Sequence, residues 1–502
     1  MSDAGQQDIQ ALAKGGRTNF FGFVLRLGGT APFLFIAGRF YGVEALGRYA
    51  SALVVVELVG QLCALGQRRG LAQRLSEDDR DAAHVIADGL TLTLLLALLA
   101  AAVLYLFPAP MFPSGQYTEW DRLLPVAMVA SALTDIALAA LAYRYNVGAT
   151  VRARSIVEPW TQTLAAVAFL FILPAAGLAL SFILAKLAAL AVSLWPLLRM
   201  YGLPRGWHPH PMRIGRLAVQ SMPLAGADLV EWGTRKLDIA LLGIFTSPAA
   251  VGVYYAAQQV ASLPQKLKTS FEPILGPVIT RNLREGNLTA IARQVCQVGF
   301  WIIAVQAGIA LALGIPGEGV MGLIGPEFVG GTGALAFLLA AEVAAATAVV
   351  SEAALVYVAR LRNLWVSLAT IAVQAALTVA GIMLVNRLGL NDNFRAAAAA
   401  AALMLSLGMA SVVKAWILSR ILGETVNSWR WPLVWAAAPA TLVGWAATQF
   451  LPEWAELAFG IPAILGVYGY VIWHKGFGPE DRVLFRRSVG PKGDAAAPPE
   501  GG

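Results

Sequence analysis

Apolar runs of about 20 residues recur along this chain, each long enough at about 1.5 Å per residue to cross a bilayer core. They lie near 20–41, 46–67, 83–107, 121–143, 155–174, 177–198, 217–245, 249–280, 293–314, 333–359, 364–386, 395–420, 430–450 and 456–474, fourteen in all. The pattern predicts an all-α polytopic membrane protein whose spans are joined by short polar turns. The run 249–280 exceeds one crossing, and Pro264, Pro273 and Pro277 supply the means to bend it.

Composition agrees with the pattern. The 502 residues are 58% hydrophobic and only 13% charged, against roughly 25% charged in an ordinary soluble domain. Charge placement then orients the spans. Of the 37 Lys and Arg, 25 fall in one alternate set of loops, 5 in the other and 7 within the spans. Basic residues collect on the cytoplasmic side, so an even number of spans places both termini in the cytoplasm. The net charge of +7 is thereby assigned to topology, and no nucleic-acid partner is needed to explain it. The polar start, MSDAGQQDIQALAKGG, carries no signal-peptide pattern, so the first span is expected to act as the insertion signal. Cys63 and Cys296 sit in separate apolar segments and read as packing residues.

An internal repeat organises the spans. FYGVEALGRYASALVVVEL, from Phe40, matches FTSPAAVGVYYAAQQVASL, from Phe245, at an offset of 205 residues, the second opening span 8 as the first opens span 2. A repeat unit of six spans is even, so both units enter the membrane in the same orientation. The expected result is two parallel six-helix lobes around a central cavity, plus two extra C-terminal helices. The corresponding divisions are 1–19 (cytoplasmic), 20–199 (first lobe), 200–216 (linker), 217–422 (second lobe), 430–474 (spans 13 and 14) and 475–502 (cytoplasmic tail, partly disordered).

With ALGRYASA (45–52), KLDIALLGIFTSPAAVGVYYAA (236–257) and LIGPEFVGGTGALAFLLAA (323–341), the chain resembles the polysaccharide-exporter branch of the MOP (multidrug/oligosaccharidyl-lipid/polysaccharide) exporter superfamily, which includes O-antigen and lipopolysaccharide-precursor flippases. The resemblance covers nearly the whole chain and rests on loose structural motifs. It implies a bacterial inner-membrane flippase that moves an isoprenoid-pyrophosphate-linked oligosaccharide by alternating access. The implied partners are that lipid-linked oligosaccharide, membrane lipids and a polysaccharide polymerase or assembly machinery; no cofactor is implied. It also places spans 1, 2, 7 and 8 at the interface between lobes.

Charges inside the spans mark the candidate site, because an ionised side chain at bilayer depth is costly unless paired or wet. Span 7 contains DLVEWGTRKLDIALLGIF, with Asp228, Glu231, Arg235, Lys236 and Asp238. On a helix these charges fall within about 160° of one another, so one face is polar and the other apolar. Pairing is geometrically open between Glu231 and Arg235 and between Arg235 and Asp238. Arg26, Lys186, Arg235, Lys236, Lys266 and Lys268 are the candidate ligands for a pyrophosphate, with Arg favoured for bidentate contact. Glu57, Asp135, Asp228, Glu231, Asp238, Glu342 and Glu352 are the candidate gate or ion-coupling groups. A structural alternative stands beside each set: the span 7 acids could serve only to neutralise Arg235 and Lys236, and Glu342 and Glu352 only to bond a neighbouring helix. Arg26 and Lys414 lie close enough to a span end to reach the headgroups.

No metal, phosphate-loop or catalytic motif emerges. His84, His208, His210 and His474 sit near or within cytoplasmic-side segments, and His208-Pro-His210 is too sparse for a metal site without carboxylate or Cys neighbours; the glycines of GIPGEGVMGLIG (314–325) read as turn formers in an external loop. Two rivals to a flippase remain: a cation-coupled exporter of small molecules on the same fold, whose cavity should be dominated by acids, and a membrane-embedded glycan polymerase or ligase, which the short external loops disfavour.

Overall fold

The computed structural model describes residues 25–77, 81–268, 279–478 and 481, and of 264–268 the backbone alone. Every regular element among the described residues is helical. The first lobe holds α1 (25–41), α2 (Val43–Cys63), α3 (Gln67–Glu77), α4 (Ala82–Leu106), α5 (Pro125–Tyr143), α6 (Val147–Ile172) and α7 (Gly177–Tyr201). The second holds α8 (Pro211–Phe245), α9 (Pro248–Lys268), α10 (Leu288–Gly314), the short α11 (Gly317–Ile324), α12 (Thr332–Val358), α13 (Arg360–Arg387) and α14 (Asp392–Leu422). Two further helices, α15 (Pro432–Phe450) and α16 (Glu453–Gly476), pack on each other and on α10.

Local chemistry sets many of the ends. Asp81, Asn287 and Asn391 accept hydrogen bonds from the first-turn N–H groups of α4, α10 and α14. Gly423 closes α14 in the left-handed conformation. Ten of the described helical stretches are long and apolar enough to cross a membrane. The charged α8 is not among them, because its five ionisable residues in three turns interrupt the apolar run.

The lobes meet where the sequence repeats. A Cβ placed on Gly47 would strike the Pro248 carbonyl, and one on Gly252 would strike that of Val43. Val43 and Gly47, shifted by 205, are Pro248 and Gly252, so each half of the repeat makes the other's contact across a local two-fold relation. Only glycine permits α2 and α9 to approach this closely. Below the crossing, Phe33, Tyr49 and Phe182 of the first lobe share one apolar core with Tyr254, Tyr255 and Leu335 of the second.

Two features depart from the sequence reading. The glycine-rich segment 314–325 contains a helix, α11, rather than turns alone. Its Val320, Met321 and Ile324 are buried, and Ile324 lies against Gly38 of α1 so closely that a Cβ there would clash. Lys414 does not reach a membrane end. It is 4% exposed and turned inward, with Nζ donating to Glu352 Oε2 at 2.8 Å and to Ser367 Oγ at 3.2 Å. A carboxylate on the adjacent helix offers what the headgroup region would otherwise supply.

Candidate functional site: a charged cavity between the lobes

A cavity of about 1180 Å³ lies between the lobes. Its described lining carries eight basic side chains (Arg26, Arg69, Arg154, Lys186, Arg235, Lys236, Arg360, Lys414) and five acidic ones (Glu57, Glu158, Glu231, Glu342, Glu352). The polar face of α8 forms one wall, as its amphipathic pattern requires, while Gly233 on its other side packs against Ile371 of α13.

Most of the charges are paired, and the pairs join elements. At the end away from Gly47, Arg69 of α3 clamps α8: Nε donates to Asp228 Oδ1 at 2.7 Å and Nη2 to Glu231 Oε2 at 2.6 Å. Arg68 adds contacts to the same acids at 3.6 and 3.7 Å. Gly66 lies against Leu224 and Ala225, so the backbones also touch here. Inside the first lobe, Arg154 joins Asp135 and, at 3.0 Å, Glu158; Lys186 donates to Glu158 at 2.7 Å and is 7% exposed. Lys236 of α8 approaches Glu57 of α2 at 3.8 Å, a further ion pair between the lobes.

Three arginines retain capacity for a ligand. Arg26 and Arg360 face the cavity with no ion pair among the described residues, and Arg235, about half exposed, has only Glu231 at 3.5 Å. An arginine whose fork of N–H donors is not committed to protein carboxylates is the group that phosphate oxygens engage bidentately.

Of the residues marked from sequence, Arg26, Glu57, Lys186, Glu231, Arg235, Lys236, Glu342 and Glu352 line the cavity. Asp135 and Asp228 sit behind its wall, each holding an arginine that lines it. Asp238 turns away from Arg235: fully buried, it accepts from Tyr254 Oη at 2.6 Å and Gln258 Nε2 at 3.1 Å. The side chains of Lys266 and Lys268 lie outside the described residues. Sequence reasoning missed Arg69, Arg154 and Arg360, which it had assigned to loops, and Glu158. The signal available for them was the excess of three acids over two bases within residues 228–245 of α8, which demands cations from elsewhere.

Comparison with known proteins assigns the chain a family. The profile of the polysaccharide biosynthesis protein family matches residues 36–308, which include α2 to α9 and about half of the cavity wall. The chain belongs to that family. Several solved structures share the fold. One, the lipid II flippase MurJ in an inward closed conformation, is 11% identical with a TM-score of 0.63, the match covering 94% of this chain and 100% of that one. A multidrug resistance MATE family transporter of the MOP superfamily, inward-facing, is 13% identical with a TM-score of 0.60, covering 80% and 94%. A point mutant of the Vibrio cholerae MATE transporter VcmN is 15% identical with a TM-score of 0.53, covering 82% and 97%. No curated protein matches the chain by sequence. This member of the family is therefore a multi-pass membrane protein that shares its fold with these structures.

Proposed function

We propose that this protein is a flippase that moves an isoprenoid-pyrophosphate-linked oligosaccharide, a precursor of lipopolysaccharide, O-antigen or exopolysaccharide, across the bacterial inner membrane. The observation that carries the reading is the inter-lobe cavity, whose described lining is basic in balance, whose Arg26 and Arg360 have no ion pair among the described residues and whose Arg235 has Glu231 alone, at 3.5 Å. The pyrophosphate is held by these arginines, the saccharide occupies the cavity, and the isoprenoid tail stays in lipid. Both termini are cytoplasmic and the chain crosses fourteen times, with lobes at 20–199 and 217–422 and the Arg69 end facing the cytoplasm. Alternating access then means breaking one junction while the other holds: the Arg69 clamp at the inner end, the Gly47–Gly252 crossing at the outer.

The reading is tested by deleting the gene in its host and returning it as wild type or with Arg26→Ala and Arg235→Ala together. Surface polysaccharide is expected to disappear on deletion, return with the wild type and stay absent with the double variant at normal protein level. Unchanged polysaccharide together with raised sensitivity to cationic drugs would replace the reading with that of a cation-coupled exporter.

A further inference from the structure

The cavity has a second chemical region that the charges do not explain. Towards the Gly47 end its wall is formed by Phe33, Tyr49, Phe182 and Tyr255, with Gln162, Gln258 and Gln259 among them. Tyr49 is the centre of the group. Its ring meets Phe182 at 5.6 Å and 82°, Tyr255 at 6.2 Å and 83°, and Phe33 at 6.2 Å and 62°. Its hydroxyl accepts from Gln162 Nε2 at 2.9 Å, which leaves the hydroxyl proton free to donate. Gln258 is held by its bond to Asp238. The rings and amides are thus fixed before any ligand arrives, so little side-chain freedom is lost on binding.

Depth separates the rings, though not the amides, from the arginines. Tyr49 and Tyr255 lie about 10 Å along their helices from the Gly47 end, Gln162, Gln258 and Arg235 about 15 Å and Arg26 about 22 Å. We infer that the aromatic–amide end of the cavity is a saccharide subsite, with Tyr49, Tyr255, Gln162 and Gln258 contacting the sugar next to the pyrophosphate. Pyranose rings present apolar C–H faces that suit the negative face of an aromatic ring. Their adjacent hydroxyls need paired donors and acceptors, which Gln and Tyr supply. The repeat reinforces the assignment. Tyr254, the counterpart of Tyr49 at the 205-residue offset, is turned away to Asp238 and does not line the cavity, whereas Tyr49 and Tyr255 border it with 2% and 6% of their surface exposed. This inference rests on the flippase reading.

The test uses the full chain in nanodiscs and four probes: bare polyprenyl pyrophosphate, and the same lipid carrying glucose, galactose or N-acetylglucosamine. At least one glycosylated probe is expected to bind wild type about tenfold more tightly than the bare lipid. Tyr255→Ala and, independently, Gln162→Ala should abolish that ratio and leave affinity for the bare lipid unchanged, whereas Tyr255→Phe should preserve it. Arg235→Ala should weaken all four probes equally. A wild-type ratio of one for every sugar overturns the subsite, as does a loss in Tyr255→Ala and Gln162→Ala shared by bare and glycosylated probes, which would make the ring cluster a seal between lobes. If wild type binds no bare lipid, or binds it indifferently to Arg235→Ala, the flippase reading fails instead.

Discussion

Lys186 and Asp481 show how single charges are tolerated. Lys186 is nearly buried in the first lobe and depends on Glu158, which also serves Arg154. Lys186→Met should lower stability by about 3 kcal/mol, the low end for breaking a buried pair, because Arg154 still covers Glu158. Adding Glu158→Gln should then cost more, since Arg154 loses a partner as well; thermal denaturation in detergent reads both. Asp481 lies beyond the last helix. Burial alone would raise its carboxyl, but Arg430, the Gly478 N–H, Trp301 and Gln297 donate to it and together hold it below the ordinary carboxylate range. A depressed carboxyl stabilises the fold above its unfolded value of about 3.9 and loses that contribution as pH falls through the folded value. Melting temperature should therefore fall between pH 5 and pH 3 by a component that Asp481→Asn lacks.

At the scale of elements, the two junctions between lobes differ in kind. The Gly47–Gly252 junction is steric. Gly47→Leu should prevent α2 and α9 from meeting, so that a cysteine at Val251, buried in the shared core, with Cys63 and Cys296 replaced by Ala, becomes reactive to maleimide where it was protected. Retained protection would show that the crossing does not depend on glycine. The Arg69 junction is electrostatic and partly wet. A double-mutant cycle of Arg69→Ala and Asp228→Asn should give a coupling of about 1 kcal/mol, reduced by added salt. The elements themselves were legible in the sequence because apolar period and length are local properties. Each of the fourteen apolar runs overlaps a described helix, although α1 is described only from residue 25 and α9 only to 268. α11 was not legible, because its glycines read as turn formers until Ile324 finds Gly38 in three dimensions.

For the whole molecule, the repeat predicted two lobes and a cavity, and most of the charges marked on spans 1, 2, 6, 7 and 10 do gather there. What the sequence could not supply was the pairing. Arg69, Arg154 and Arg360 read as loop charges because position relative to a span end is local, whereas the partner of each is set by how helices stack. The same limit hid the turn of Asp238 towards Tyr254. The pairing matters for the proposed function: it commits Lys186 and Lys414 to carboxylates, leaves Arg235 with Glu231 alone at 3.5 Å, and leaves Arg26 and Arg360 without an ion pair among the described residues. The most direct measurement is translocation in proteoliposomes of a polyprenyl-pyrophosphate oligosaccharide bearing a fluorophore on its sugar, followed by a membrane-impermeant quencher. Wild-type protein should expose the inner-leaflet pool to the quencher, and the Arg26→Ala, Arg235→Ala double variant should leave that pool protected. Equal quenching by wild type and variant, or none by either in correctly folded protein, would contradict the account.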